Sequence, residues 1–177
     1  MSVIEETAAL LGSLRGQWDE EAVDELDHAL QSAAHALDDH ADDELVLAAA
    51  LHDLARSPLV DGSAVVGHDH IAREWLTPRF GIRVGWLAGA HVAAKRYLVA
   101  TEPGYGDGLS QTSALSLVRQ GGAGLDDEFV RHPWWPDALR LRRYDDAAKD
   151  PTATGATIGD VLTIAERVLA RDVQQPR

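Results

Sequence analysis

Apolar residues return every three or four positions along this chain, the spacing that lines one face of an α-helix. No segment alternates apolar and polar residues as a half-buried strand does. Residues 3–15 predict a first short helix, closed near Gly16. A second is predicted from about Asp19 to Ala41, because Asp19, Glu20 and Glu21 suit the positive end of a helix dipole. Asp42 or Asp43 can cap a third, which carries Leu45, Leu47, Leu51 and Leu54 and stops before Pro58. Residues 58–67 read as a loop. Helices are expected next at about His68–Trp75 and Arg83–Val99, followed by a loop over 101–109, where one Pro and three Gly fall in TEPGYGDGL. Helices at about 110–119, 126–131 and 136–148 precede a last one at about 158–171, with Ile158, Val161, Leu162, Ala165 and Leu169 on one face. The expected fold class is all-α. With no internal repeat or linker, residues 1–177 read as one domain, large enough for a proper core.

Composition narrows the chemistry. A hydrophobic content of 45% argues against disorder, and a net charge of −13 argues against a nucleic-acid surface. An anionic ligand would need a local cationic pocket against that overall field. The absence of cysteine excludes disulfides and thiolates, leaving His and carboxylate as metal ligands. The start, MSVIEETAAL, has no basic region ahead of an apolar run, and no stretch reaches the length of a membrane span. A cytoplasmic protein, monomer or homodimer, is the expectation.

The adjacent pair His52-Asp53 stands out. It lies in LAAALHDLA, an apolar helix in which an ionised Asp is costly to bury unpaired. A metal answers that cost, because a carboxylate can bridge two ions; the plain alternative is a salt bridge from Asp53 to an Arg. His28 has Leu26, Leu30 and Ala33 around it, and alone would read as a hydrogen-bonded core histidine. His91 sits among small residues in GWLAGAHVAAKRYL, with Lys95 one helical turn on. His68 and His70 share VVGHDHIAREWL, and one of them is the expected ligand. His35, His40 and His132 read as surface residues. Imidazole with carboxylate suits iron, manganese or zinc.

These residues resemble a known family. The pattern His28…His52-Asp53…Asp145 resembles the HD-domain superfamily of helical metalloproteins. The strings DHALQSA (27–33), LAAALHDLA (47–55), GAHVAAKRYL (89–98), SLVRQGG (116–122) and DALRLRRYDDAAK (137–149) resemble its mixed-valent diiron oxygenases of organophosphonate catabolism, distant relatives of myo-inositol oxygenase. The resemblance covers about residues 18–150. It implies an HD-domain helical bundle, with His28, His52, Asp53 and Asp145 around one iron and Asp53, His68 and His91 around a second, Asp53 bridging. The family string His-x-x-Ile-x-x-x-x-Leu selects His68 over His70, since Ile71 and Leu76 then fall in place. A ligand four residues before a Lys selects Asp145 over Asp146, through Lys149.

The resemblance also implies an Fe(II)/Fe(III) pair, O2 as co-substrate and oxidative C–P cleavage of 2-amino-1-hydroxyethylphosphonate or an analogue, releasing phosphate and a carboxylic acid. Lys95, Ser113, Ser116, Gln120 and Arg142 would bind the phosphonate, and Lys95 and Glu21 are the expected catalytic side chains. Arg142 and Arg143 can instead pair with Asp137, Asp145 or Asp146 on their own helix. The alternative activity is that of an HD-type metal-dependent phosphohydrolase acting on a nucleotide or phosphate ester. The chain departs from the family ahead of the first His: an expected Tyr is Trp18 here, and Asp24 and Glu25 stand where a more neutral pair is expected. Trp18 suits either a quaternary amine, through a cation–π face, or a smaller hydroxyphosphonate that leaves it unused.

Overall fold

The structure is a computed structural model that describes residues 1–19, 22–61 and 67–174. It is all-α: α1 (Val3–Ser13), α2 (Glu25–Asp38), α3 (Asp43–Leu51), α4 (His68–Phe80), α5 (Ile82–Gly89), α6 (His91–Thr101), α7 (Gln111–Arg119), α8 (Asp127–Val130), α9 (Trp135–Ala147) and α10 (Ile158–Gln174), with no strand among the described residues. No helix there is long and apolar enough to cross a membrane.

Helix α3 is the centre of the bundle. Every residue from Leu45 to Leu51 is buried, and α2, α5, α9 and α10 pack around it. A helix that is apolar all round has to be enclosed, and Ala48, Ala49 and Ala50 let its neighbours come close. Burying Leu45, Leu47 and Leu51 stabilises the fold by roughly 1.5–3 kcal/mol each. Asp42 caps its start, accepting from the Leu45 N–H at 3.0 Å. The Asp42 carboxylate also takes Arg83, which reaches Glu44 and Asp137 as well and so ties α5 and α9 to the start of α3.

Four helix boundaries differ from the sequence expectation. Helix α3 ends at Leu51, and Leu54 falls in a separate short turn, Leu54–Arg56, ahead of Pro58. Helix α2 begins at Glu25, not near Asp19. Asp24 is its cap, accepting from the Asp27 N–H at 3.0 Å, and Arg15 and the Gly16 N–H hold the same carboxylate. Helix α4 continues past Trp75 to Phe80. Pro78 is tolerated in its last turn, where the Arg79 guanidinium donates to the Trp75 carbonyl at 3.0 Å. The segment expected as one helix over Arg83–Val99 is two, broken at Ala90. Helices α4 and α5 fold back on each other through Gly81 (φ 96°). Gly85 makes that contact possible, since a Cβ there would lie 2.1 Å from Thr77 Oγ1.

Candidate metal centre

The ends and breaks of helices bring the chemistry together. His52 closes α3, Asp53 follows at φ −102°, His68 opens α4 and His91 opens α6 immediately after the Ala90 break. His28 comes from α2 and Asp145 from α9. All six meet at one place. The Nε2 atoms of His28 and His52 are 3.3 Å apart, and each lies 3.5–3.7 Å from Oδ2 of Asp53 and from an oxygen of Asp145. On the other side, the Nε2 atoms of His68 and His91 are 3.0 Å apart and lie 3.4 and 3.6 Å from Oδ1 of Asp53. Asp53 thus turns one oxygen to each group.

These groups fit metal ions for a specific reason. The Nδ1 atoms of His28, His52 and His91 face the carbonyls of Ala148, Ala49 and Ala88 at 2.9, 2.8 and 2.6 Å. A carbonyl only accepts, so each ring carries its proton on Nδ1 and turns an Nε2 lone pair inward. The centre therefore gathers lone pairs and carboxylate oxygens, and Oδ1 of Asp53 is buried with no hydrogen-bond partner. Such a cluster repels itself unless a positive charge sits inside it. Without a metal that role falls to a proton: burial opposes a charged His52, yet Asp53 and Asp145 raise its pKa to about 9. Burial, then the neighbouring His52 and His68, holds His91 well below the usual imidazole range. Donor separations of 3.0–3.7 Å are those of ligands sharing ions with bonds of about 2.1 Å.

Cations stand next to this cluster. A cavity of about 30 Å³ is lined by Asp53, His68, His91 and Asp145 together with Lys95, Ser113, Ser116 and Arg142. Lys95 is buried and donates to Ser116 Oγ at 2.7 Å; burial, with Arg142 nearby, lowers its pKa to about 8. Arg142 is 2% exposed. It donates from Nη1 to Asp145 Oδ2 at 2.7 Å, from Nη2 to Asp146 and from Nε to the Tyr105 hydroxyl at 3.0 Å. A guanidinium has five N–H groups, so donors remain for an anion in the cavity.

The geometry decides between the sequence alternatives. His70 is exposed and pairs with Glu74 at 3.1 Å, so it is His68 that faces Asp53. Asp145 faces the imidazoles, whereas Asp146 is taken up by Arg142 and Tyr105. Arg142 makes the same-helix pairs and lines the cavity as well; Arg143 pairs with Glu102. Gln120 is not among the cavity-lining residues: it caps the end of α7. Glu21 lies outside the described residues. Trp18 does not reach the cavity; it is 65% exposed and lines a separate groove with Leu26 and Leu30. His132 is no surface residue, since it is half-buried and stacks on Trp86 at 4.2 Å.

Sequence reasoning missed Asp19, Arg56 and Thr112, which line the cavity, and Tyr105, which holds Arg142. It marked Glu25 only as a departure from the family, and not as the buried group it is, 2% exposed with an Oε2 that has no hydrogen-bond partner. Burial and the charge of Asp53 push the Glu25 pKa up to about 8. The position three after Asp53 was the available signal for Arg56; the acidic start of α2, Asp24, Glu25 and Asp27, gave none for the burial of Glu25. Nothing local marks Tyr105.

No family model matches the chain. It is 39% identical over 142 residues to hydroxymethylphosphonate dioxygenase of Gimesia maris, covering 73% of this chain and 70% of that protein. It is 33% identical over 138 residues, with the same coverage of each, to the glycine-betaine-forming 1-hydroxy-2-(trimethylamino)ethyl phosphonate dioxygenase of Leisingera caerulea. An uncharacterised protein of Acanthamoeba polyphaga mimivirus is 31% identical over 140 residues, covering 73% of this chain and 64% of its own. Two relatives aligned over most of their length are named for one kind of reaction, and the chain belongs with them to the phosphonate dioxygenase family of oxygenases.

Proposed function

We propose that this chain holds two iron ions and uses O2 to cleave the C–P bond of a 1-hydroxyphosphonate, giving phosphate and a carboxylic acid. His28, His52, Asp53 and Asp145 would hold one ion and Asp53, His68 and His91 the other. The observation that carries this reading is the meeting of two buried cations, Lys95 and Arg142, with an all-acceptor His and carboxylate cluster in one cavity. When bound, the irons supply oxygen activation and accept electrons.

The chain's own residues do the rest. Lys95 and Arg142 bind the phosphonate dianion by charge-assisted hydrogen bonds, and the burial of both strengthens them. Ser116 aims Lys95 into the cavity, while Asp145 and Tyr105 keep Arg142 from turning. Fixing the phosphonate fixes carbon 1 of the substrate beside the cluster, the positioning an oxygenase needs. The narrowness of the cavity limits water. For hydroxymethylphosphonate the balance is one substrate and one O2 to one formic acid and one phosphoric acid, with both oxygen atoms retained in the products.

The test is iron-loaded protein with a panel of 1-hydroxyphosphonates, following O2 uptake and phosphate together. Equal uptake and release is expected. Phosphate released from a phosphate ester or nucleotide with no O2 consumed would replace this reading by the phosphohydrolase one.

A further inference from the structure

The cavity has a second wall that the binding of a phosphonate does not use. Arg56 ends the short turn Leu54–Arg56 that follows Asp53, so its position is tied to that of the carboxylate facing both ligand groups. Its Nη2 lies 2.7 Å from Asp19 Oδ2, and the two side chains are 33% and 36% exposed. Thr112 Oγ1 donates to the Asp19 carbonyl at 3.1 Å, binding this wall to α7, the helix that brings Ser113 and Ser116. Asp19, Arg56 and Thr112 all line the cavity with the cluster.

We infer, on the hydroxyphosphonate reading above, that the Asp19–Arg56 ion pair is the specificity element of this site. It admits hydrogen on carbon 1, as in hydroxymethylphosphonate, and turns away a trimethylammonium arm. Three observations carry this. The Asp19–Arg56 pair lines the same cavity as Asp53, His68 and His91, so an arm directed to that wall must displace the pair. Apart from Asp53 and Asp145 of the cluster, the carboxylate among the described lining residues is Asp19, and it is already matched by Arg56. Quaternary ammonium groups are recognised by the faces of Trp, Tyr and Phe, and none of the described lining residues is one of these. Trp18, next to Asp19, lines a different groove of about 890 Å³. Among the described lining residues, a cationic arm would therefore meet Arg56, Lys95 and Arg142 with no Trp, Tyr or Phe face and no carboxylate outside the cluster and the Asp19–Arg56 pair.

The experiment compares kcat/KM for hydroxymethylphosphonate and for its 1-hydroxy-2-(trimethylamino)ethyl analogue, using the iron-loaded full chain, Arg56→Gln and Asp19→Asn. Metal content is measured on each. The unaltered chain should favour the small substrate by about 30-fold or more, the advantage lost when a cation has no aromatic face. Each variant that loads metal should narrow that ratio by about fivefold or more, chiefly through a lower KM for the bulky substrate. Asp19→Asn, which alters neither ligand group nor the turn that follows Asp53, decides the matter if Arg56→Gln fails to load. A preference for the bulky substrate, or a ratio unmoved in every metal-loaded variant, overturns the inference. Turnover of neither phosphonate overturns the hydroxyphosphonate reading itself, and this inference with it.

Discussion

Arg142 donates from Nη1 to Asp145 Oδ2 at 2.7 Å, and that same oxygen lies 3.6 Å from His52 Nε2. One guanidinium thus both orients a carboxylate of the cluster and lines the cavity proposed to take the substrate. Lys95 lines the cavity too, but it donates to the Ser113 carbonyl and to Ser116 Oγ and not to the carboxylates of the cluster. The two cations should therefore fail differently. Lys95→Met should keep its metal and raise KM by at least about tenfold, since a buried anion loses a charged partner. Arg142→Met should also weaken metal binding by about 10–100-fold, as happens when a ligand loses its orienting partner. Metal titration beside steady-state kinetics checks both, and identical metal affinity in the two variants would contradict the distinction.

Asp53 faces both imidazole pairs, through Oδ2 on one side and Oδ1 on the other. Asp53→Ala should accordingly lose both metals together, leaving no stoichiometric single site. Elemental analysis after anaerobic loading reads this directly. Retention of one metal per chain would show that Asp53 serves one side only.

Lys95 is held down to about 8, first by burial and then by Arg142. The charged form, which binds the anion, is present below that pH and lost above it. The value of kcat/KM should fall as pH rises through about 8. Lys95→Arg should carry that descending limb to higher pH, since guanidinium stays protonated. A descending limb unchanged in Lys95→Arg would assign it to another group.

Tyr105 accepts from Arg142 Nε at 3.0 Å and donates to Asp146, which also receives Arg142 Nη2. Tyr105→Phe removes the hydroxyl while keeping the ring that lies against Arg143. KM for the phosphonate should rise about fivefold or more, the worth of a hydrogen bond to a charged group, with kcat and metal content close to unchanged. A fall in kcat at constant KM would assign Tyr105 to the chemical step instead.

Glu25 is raised from its ordinary value to about 8 by burial and by the charge of Asp53. Its folded pKa exceeds its unfolded one, so its contribution is fully present below about 4.5, and is lost as pH rises toward 8. Glu25→Gln keeps the neutral shape and cannot ionise. Melting of the metal-free protein should show a stabilisation by Glu25→Gln that grows from pH 5 to about 8. An offset independent of pH would mean that Glu25 ionises normally.

The sequence by itself determined the helical class, because 3.6-residue periodicity is a local property that each segment carries. It also singled out His28, His52, Asp53 and His91, since ligand-type residues in an apolar context are costly unless they meet, while the family resemblance selected His68 and Asp145. Helix ends were less legible: the break at His52 carries no Gly or Pro, and at Ala90 the one signal is Gly89, which a helix interior can also hold. Distances across the chain were not legible at all. That Asp53 divides its two oxygens between the imidazole pairs, that Tyr105 reaches Arg142, that Asp19 meets Arg56 and that Trp18 turns to another groove were decided only by the tertiary structure. Each joins or parts elements whose mutual angle depends on the whole core, and no window of sequence contains that angle.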